Sequence, residues 1–165
     1  MQWSRFLRHS ALPHWWSQRQ FPPAAQQAIT AAIAASETRH RGELRFVVEG
    51  GLPIADLWHG RSPRQRALEL FAQLGVWDTQ DNSGVLIYVQ LVDRRVEIVA
   101  DRGIDARLGE SFWQSVCRDM ETAFAHGDFL RGALAAIETI GGELARHYPP
   151  LGDNPNELPD EPLLL

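Results

Sequence analysis

The chain has 165 residues, 44% hydrophobic and 22% charged, the balance of one ordinary globular domain with room for a core. Its longest apolar run, Gly84 to Val89, falls far short of the roughly 20 residues a membrane-spanning helix needs. A net charge of -5 argues against nucleic-acid binding, and a single cysteine, Cys117, excludes an intrachain disulfide and a cysteine-built zinc site.

All 16 basic residues are arginine. Without lysine there is no Schiff-base enzyme, no phosphate-loop ATPase and no protein kinase of the usual design. Arginine suits bidentate contacts with carboxylate or phosphate, although a biased genome composition accounts for it as simply.

Residues 1–21 make a basic aromatic arm in which Arg5, Arg8 and Arg19 alternate with Trp3, Phe6, Leu7, Leu12, Trp15, Trp16 and Phe21, with no acid. Such a segment can lie in a membrane interface or on a partner. The preferred reading is that its aromatics pack on its own domain. His9, Ser10, Pro13 and His14 interrupt the apolar stretch a secretory signal would need.

The folded domain is expected over residues 22–150. Pro22 and Pro23 open a helix whose Ala25, Ala28, Ile29, Ala32 and Ile33 recur at helical spacing, ending near Arg39. Glu43 to Glu49 reads as a strand stopped by Gly50, Gly51 and Pro53. Ser62-Pro63-Arg64-Gln65 is a capping box opening a second helix, with Ala67, Leu70, Phe71 and Leu74 as its buried stripe.

Gly84 to Leu91 is apolar on both faces, the mark of a central strand covered on both sides. Arg95 to Ala100 follows after too few residues for a parallel crossover, so the two strands form an antiparallel hairpin. Glu110 to Ala125 is an amphipathic helix, and Asp128 is the expected N-cap of a last helix that Tyr148-Pro149-Pro150 stops. Residues 151–165, acidic and proline-rich, are expected to be a disordered tail. The order α-β-α-β-β-α-α predicts an α/β fold, a three-layer α/β/α sandwich with a small mixed central sheet.

This order brings Asp101, Arg102 and Asp105, which follow the third strand, to the same sheet end as the loop Asp78 to Ser83 and Glu43. The stretches Glu43–Glu49, Ala67–Trp77, Asn82–Asp105 and Ala125–Ile140 resemble the TPM domain. The turn Asp93-Arg94-Arg95, the run Asp101-Arg102-Gly103-Ile104 and Gly127-Asp128-Phe129 with Gly132 carry it most specifically. That family is named after a thylakoid-lumen protein, a photosystem II repair protein and a nematode membrane modulator. The resemblance implies a three-layer α/β/α fold and, as in some plant relatives, acid phosphatase activity with bound calcium. Many relatives carry an export signal and a C-terminal membrane helix. This sequence resembles the short bacterial variant without them, expected in the cytoplasm or at the inner face of the membrane.

A divalent cation, calcium or magnesium, would call on several converging oxygens, and Asp78, Asp81, Asn82, Asp101 and Asp105 are the candidate ligands. Asp101 and Arg102 are the catalytic candidates, with Arg102 for a phosphate oxygen and an aspartate to orient the attacking water. Ordinary turn and cap chemistry is the competing account of these residues. The six histidines lack metal-ligand spacing, and Cys117 lies on an apolar helix stripe, as a structural thiol does. Two functions remain: a non-catalytic module that binds an unknown protein partner near the membrane and needs no cofactor, and a metal-assisted acid phosphatase. The first is preferred, because no arrangement in the sequence compels catalysis.

Overall fold

The computed structural model describes residues 15–53, 56, 58–152 and 154–165. The expected interfacial contacts of residues 1–14 lie outside the described residues.

Among the described residues four strands make the sheet: β1 (Glu43–Glu49), β2 (Gly84–Gln90), β3 (Arg95–Ala100) and β4 (Leu163–Leu164), in the order β3-β2-β1-β4. β1 and β2 are parallel, with Glu43 opposite Gly84 and Glu49 opposite Gln90. β2 and β3 are antiparallel, with Val85 opposite Ala100 and Gln90 opposite Arg95. The hairpin closes through Arg94 N–H on the Leu91 carbonyl at 3.2 Å, with Arg94 in the left-handed region at φ 54°. The sheet is mixed because a parallel pair needs a crossover, here the helix Pro63–Gln73, whereas a short turn can only reverse the chain.

The helices are α1 (Trp15–Gln20), α2 (Pro23–Glu37), α3 (Pro63–Gln73), α4 (Arg102–Leu108), α5 (Glu110–Ala125) and α6 (Phe129–His147). One face of the sheet, with Leu44, Phe46, Val48, Val85, Ile87, Val89, Val96 and Ile98, packs on α2, α5 and α6. The other, with Val47, Leu86, Tyr88 and Val99, packs on Ala67 and Leu70 of α3. Alternation along a strand sends successive side chains to opposite layers, so β2, buried on both sides, has no polar face. The capping box is present: Gln65 N–H donates to Ser62 Oγ at 3.2 Å and Ser62 N–H to Gln65 Oε1 at 2.9 Å.

Three features differ from the sequence expectation. The arm does not end at residue 21 as a separate element: Phe21 is fully buried, its ring 5.9 Å from Phe46 and 5.8 Å from Phe129, with α1 leading into it. Asp101-Arg102-Gly103 begins a short helix, α4, that the expected element order does not include, with Asp101 as its N-cap. Residues 154–165 are not a disordered tail. Leu158 is buried, Leu163 and Leu164 pair with Val47 and Val48, and Leu165 N–H donates to the Val48 carbonyl at 2.8 Å. The tail's leucines cover the second layer where α3 leaves it open, and its backbone satisfies an edge strand that would otherwise lack partners. Composition gave weight to the acids and prolines and missed the leucines.

Candidate functional site

The topology delivers the predicted juxtaposition at the start of β1 and β2. Asp101 N–H donates to the Gly84 carbonyl at 2.8 Å, and Gly103 N–H to the Asn82 carbonyl at 3.1 Å. Gly103 is required by this approach: a Cβ there would lie 2.5 Å from the Asn82 oxygen and 2.8 Å from the Tyr148 hydroxyl. Gly84 is under the same constraint, since its Cβ would meet the Val76 carbonyl at 2.0 Å. Asn82, at φ 51°, takes the left-handed turn position that asparagine tolerates.

The candidate side chains are nearby in the chain trace but turned to different partners. Asp101 Oδ1 accepts from Arg102 N–H at 2.7 Å, the N-cap bond of α4. Arg102 Nε donates to Asn82 Oδ1 at 3.3 Å. Asp81 is ion-paired with Arg41, whose Nε also donates to the Pro149 carbonyl at 3.0 Å. Asp105 accepts from the Trp113 indole at 2.9 Å, and Asp78 lies exposed after the turn at Gly75. Asp101 Oδ2 is buried without a hydrogen-bond partner, and so is Glu43 Oε1 on the far side of Gly84.

Among the described residues no group of three or more histidine, cysteine, aspartate or glutamate side chains is placed to hold a metal ion. The five-residue ligand set Asp78, Asp81, Asn82, Asp101 and Asp105 does not converge on a calcium or magnesium site as folded: four of its members each turn one oxygen to a different protein donor. The cap expected of Asp128 is also different: it occupies the N-cap position of α6 but its carboxylate pairs with Arg131 rather than a helix N–H.

The sequence reading missed a buried polar network at the other end of the same strands. Glu49, at the end of β1, receives Arg66 Nη2 at 2.9 Å and the Tyr88 hydroxyl, while Arg66 Nη1 reaches Glu69 at 3.0 Å. Arg61 joins Glu69 and Asp56. Burial, then the charge of Glu49, raise the Tyr88 phenol well above its ordinary range, so Tyr88 is a hydrogen-bond donor here. The strand directions collect Glu49, Asp56, Asp93 and Arg94 at this sheet end, but nothing in the sequence pairs Glu49 with Arg66, 17 residues on.

Cys117 lies beside β3, where burial pushes its thiol up to about 12, away from nucleophile chemistry. A groove of about 660 Å³ runs along that edge, lined by Arg64, Glu97, Trp113, Cys117 and Arg118 among others. The strand edge in it is already occupied: Arg64 donates to the Ile98 carbonyl, and Val96 N–H to Glu121 at 3.0 Å.

Among the described residues no helix is long and apolar enough to cross a membrane. The TPM domain family model matches residues 17–143. Among solved structures, the BA42 protein from the psychrophilic bacterium Bizionia argentinensis is similar at 30% identity with a TM-score of 0.74, over 85% of this chain and 92% of that one. The N-terminal domain of a P. gingivalis protein shares the fold at 19% identity and a TM-score of 0.62, over 87% and 96%. No curated protein sequence matches the chain. With the family matched over residues 17–143 and a similar solved structure at 30% identity over 85% of its length, the chain belongs to the TPM domain family.

Proposed function

We propose that this TPM domain is a non-catalytic protein-interaction module that docks a partner on its surface, in the cytoplasm or at the inner face of the membrane. The observation that carries the reading is a pair of exposed apolar side chains on α3 and just after it. Leu68 is 47% exposed and Trp77 54% exposed, and the Trp77 indole donates to the Ala72 carbonyl at 3.3 Å, one helical turn beyond Leu68. α3 is the only helix on its side of the sheet among the described residues that packs on the second core cluster. Among the described residues no further layer lies over it, and a large exposed indole fixed by a hydrogen bond is a pre-organised anchor for a protein contact.

The test is co-purification with the full-length chain and with a Leu68→Glu, Trp77→Arg variant. Loss of the bound protein at unchanged melting temperature supports the reading; capture that survives both changes overturns it.

The second reading, a metal-assisted acid phosphatase, has one observation on its side: the unpartnered, buried oxygens of Asp101 and Glu43. Hydrolysis of a generic phosphomonoester that requires calcium or magnesium and disappears in Asp101→Asn would establish it in place of the first.

A further inference from the structure

Residues 154–165 form a strap that follows β1 along its edge. Asn154 Nδ2 donates to the carbonyls of Glu37 and His40 at 3.3 and 3.0 Å, and Leu158 N–H to Glu43 Oε2 at 3.1 Å. Arg45 donates to the carbonyls of Pro159 and Glu161. Leu163 and Leu164 then pair with Val47 and Val48, and Gly50 N–H donates to the Leu165 carbonyl at 3.1 Å. Leu163 packs with Val47 in the second core cluster, and Leu164 with Val48 against the first. Among the described residues the strap's only other hydrogen-bond partner in the domain is Gln80, whose N–H reaches Glu157 at 3.2 Å. None of these bonds goes to α6, the helix that precedes the strap in the chain.

The connection between α6 and the strap is short and stiff. Arg41 holds its start, donating from its N–H to the Tyr148 carbonyl at 2.9 Å and from Nε to the Pro149 carbonyl at 3.0 Å. Asn154, at its end, is held by Glu37 and His40. The chain thus leaves and returns on residues 37–41, with only residues 150–153 to close the loop. Pro149-Pro150 opposes closure, because proline fixes its own φ at about −65° and holds the residue before it extended. Closure falls to Gly152, at φ 88°, and leaves Leu151 71% exposed.

We infer that this chain pairs with a second copy of itself by exchanging residues 154–165, each strap seated on the β1 edge of the other copy. The seat is the same in both copies, so every contact given above is remade in the pair and the two states differ in the hinge. In the exchanged state the hinge no longer has to close on residues 37–41: the prolines keep the extended backbone they favour, and residue 152 is released from its left-handed conformation. Short hinges that must fold back invite exchange for this reason. Tethering opposes it with an effective concentration on the order of 1 mM, which sets the range in which a second copy competes. The interface is the outer edge of β1, apart from the surface that carries Leu68 and Trp77, and it stands or falls independently of the reading built on them.

The experiment is light scattering on the full chain, refolded at about 1 µM and at about 1 mM. A monomer is expected from the dilute sample and a mixture of monomer and dimer from the concentrated one. Gly152→Pro, which forbids the closed hinge and touches no core residue, is expected to tighten dimerisation about tenfold or more. An insertion of about six glycine and serine residues after Leu151 is expected to keep the chain monomeric at both concentrations. The dimer is then formed from a mixture of ¹³C-labelled and unlabelled chains. Intermolecular NOEs are expected from Leu163 to Val47 and from Leu164 to Val48, and they decide the matter on the unaltered chain if a variant does not fold. Leu68→Glu, Trp77→Arg is expected to leave the dimer unchanged. A chain monomeric at about 1 mM both unaltered and as Gly152→Pro, a dimer without those intermolecular NOEs, or one that the long hinge leaves intact would each overturn the proposal.

Discussion

Glu43 and Asp101 stand on either side of Gly84, and each keeps one carboxylate oxygen buried without a hydrogen-bond partner. Alternation along the strands puts both on the layer that α3 covers. Among the described residues the surrounding acids do not converge with them on a cation site. Melting in chelator and then in calcium or magnesium is accordingly expected to shift by less than about 1 °C. A rise of several degrees that Asp101→Asn abolishes would show instead that these oxygens are metal ligands.

The Glu49–Arg66–Tyr88 network makes an asymmetric prediction. Tyr88→Phe removes one donor from Glu49 and leaves Arg66 in place, and is expected to cost about 1–2 kcal/mol in urea unfolding. Arg66→Met leaves Glu49, 2% exposed, without its counter-charge and is expected to cost about 3–5 kcal/mol. Equal losses for the two variants would show that the ion pair contributes nothing beyond the hydroxyl.

His40 gives the acid limb of stability a definite sign. Burial first, offset by the Gly42 carbonyl, lowers its imidazole to about 4 from an ordinary 6.5. The folded chain then binds fewer protons than the unfolded chain between those values, so stability is complete above about pH 6.5 and falls as pH drops through about 4. His40→Gln is expected to flatten that limb in a pH series of thermal melts, while losing about 1–2 kcal/mol at neutral pH through the Ser36 and Gly42 bonds. An unchanged acid limb would mean that other groups set it.

Gly103→Ala tests the apposition of α4 and the β2 loop. Its methyl would meet the backbone oxygen of Asn82, which cannot swing away as a side-chain tip can. A loss of roughly 1–3 kcal/mol is expected by chemical denaturation. A neutral substitution would show that this sheet end relaxes freely, with the Asp101 cap free to move too.

What the sequence determined by itself was the framework. The two-sided apolarity of Gly84 to Val89, the capping box at Ser62 and the short turn at Asp93-Arg94 dictate a central strand, a crossover helix and a hairpin, because periodicity, caps and turns are local. From those elements alone the start of α4 and the loop before β2 had to meet at one sheet end, and they do: Gly103 N–H reaches the Asn82 carbonyl and Asp101 N–H that of Gly84. The tertiary structure decided what each polar side chain does there. Asp81 turns to Arg41 and Asp105 to Trp113, and Glu49 recruits Arg66, through choices of rotamer and partner that spacing along the chain does not encode. It also decided the fate of the C-terminal segment. Acids and prolines disfavour order in an isolated peptide, but an unpaired β1 edge, an exposed patch of the second core layer and the Arg45 guanidinium make docking favourable once the domain has formed.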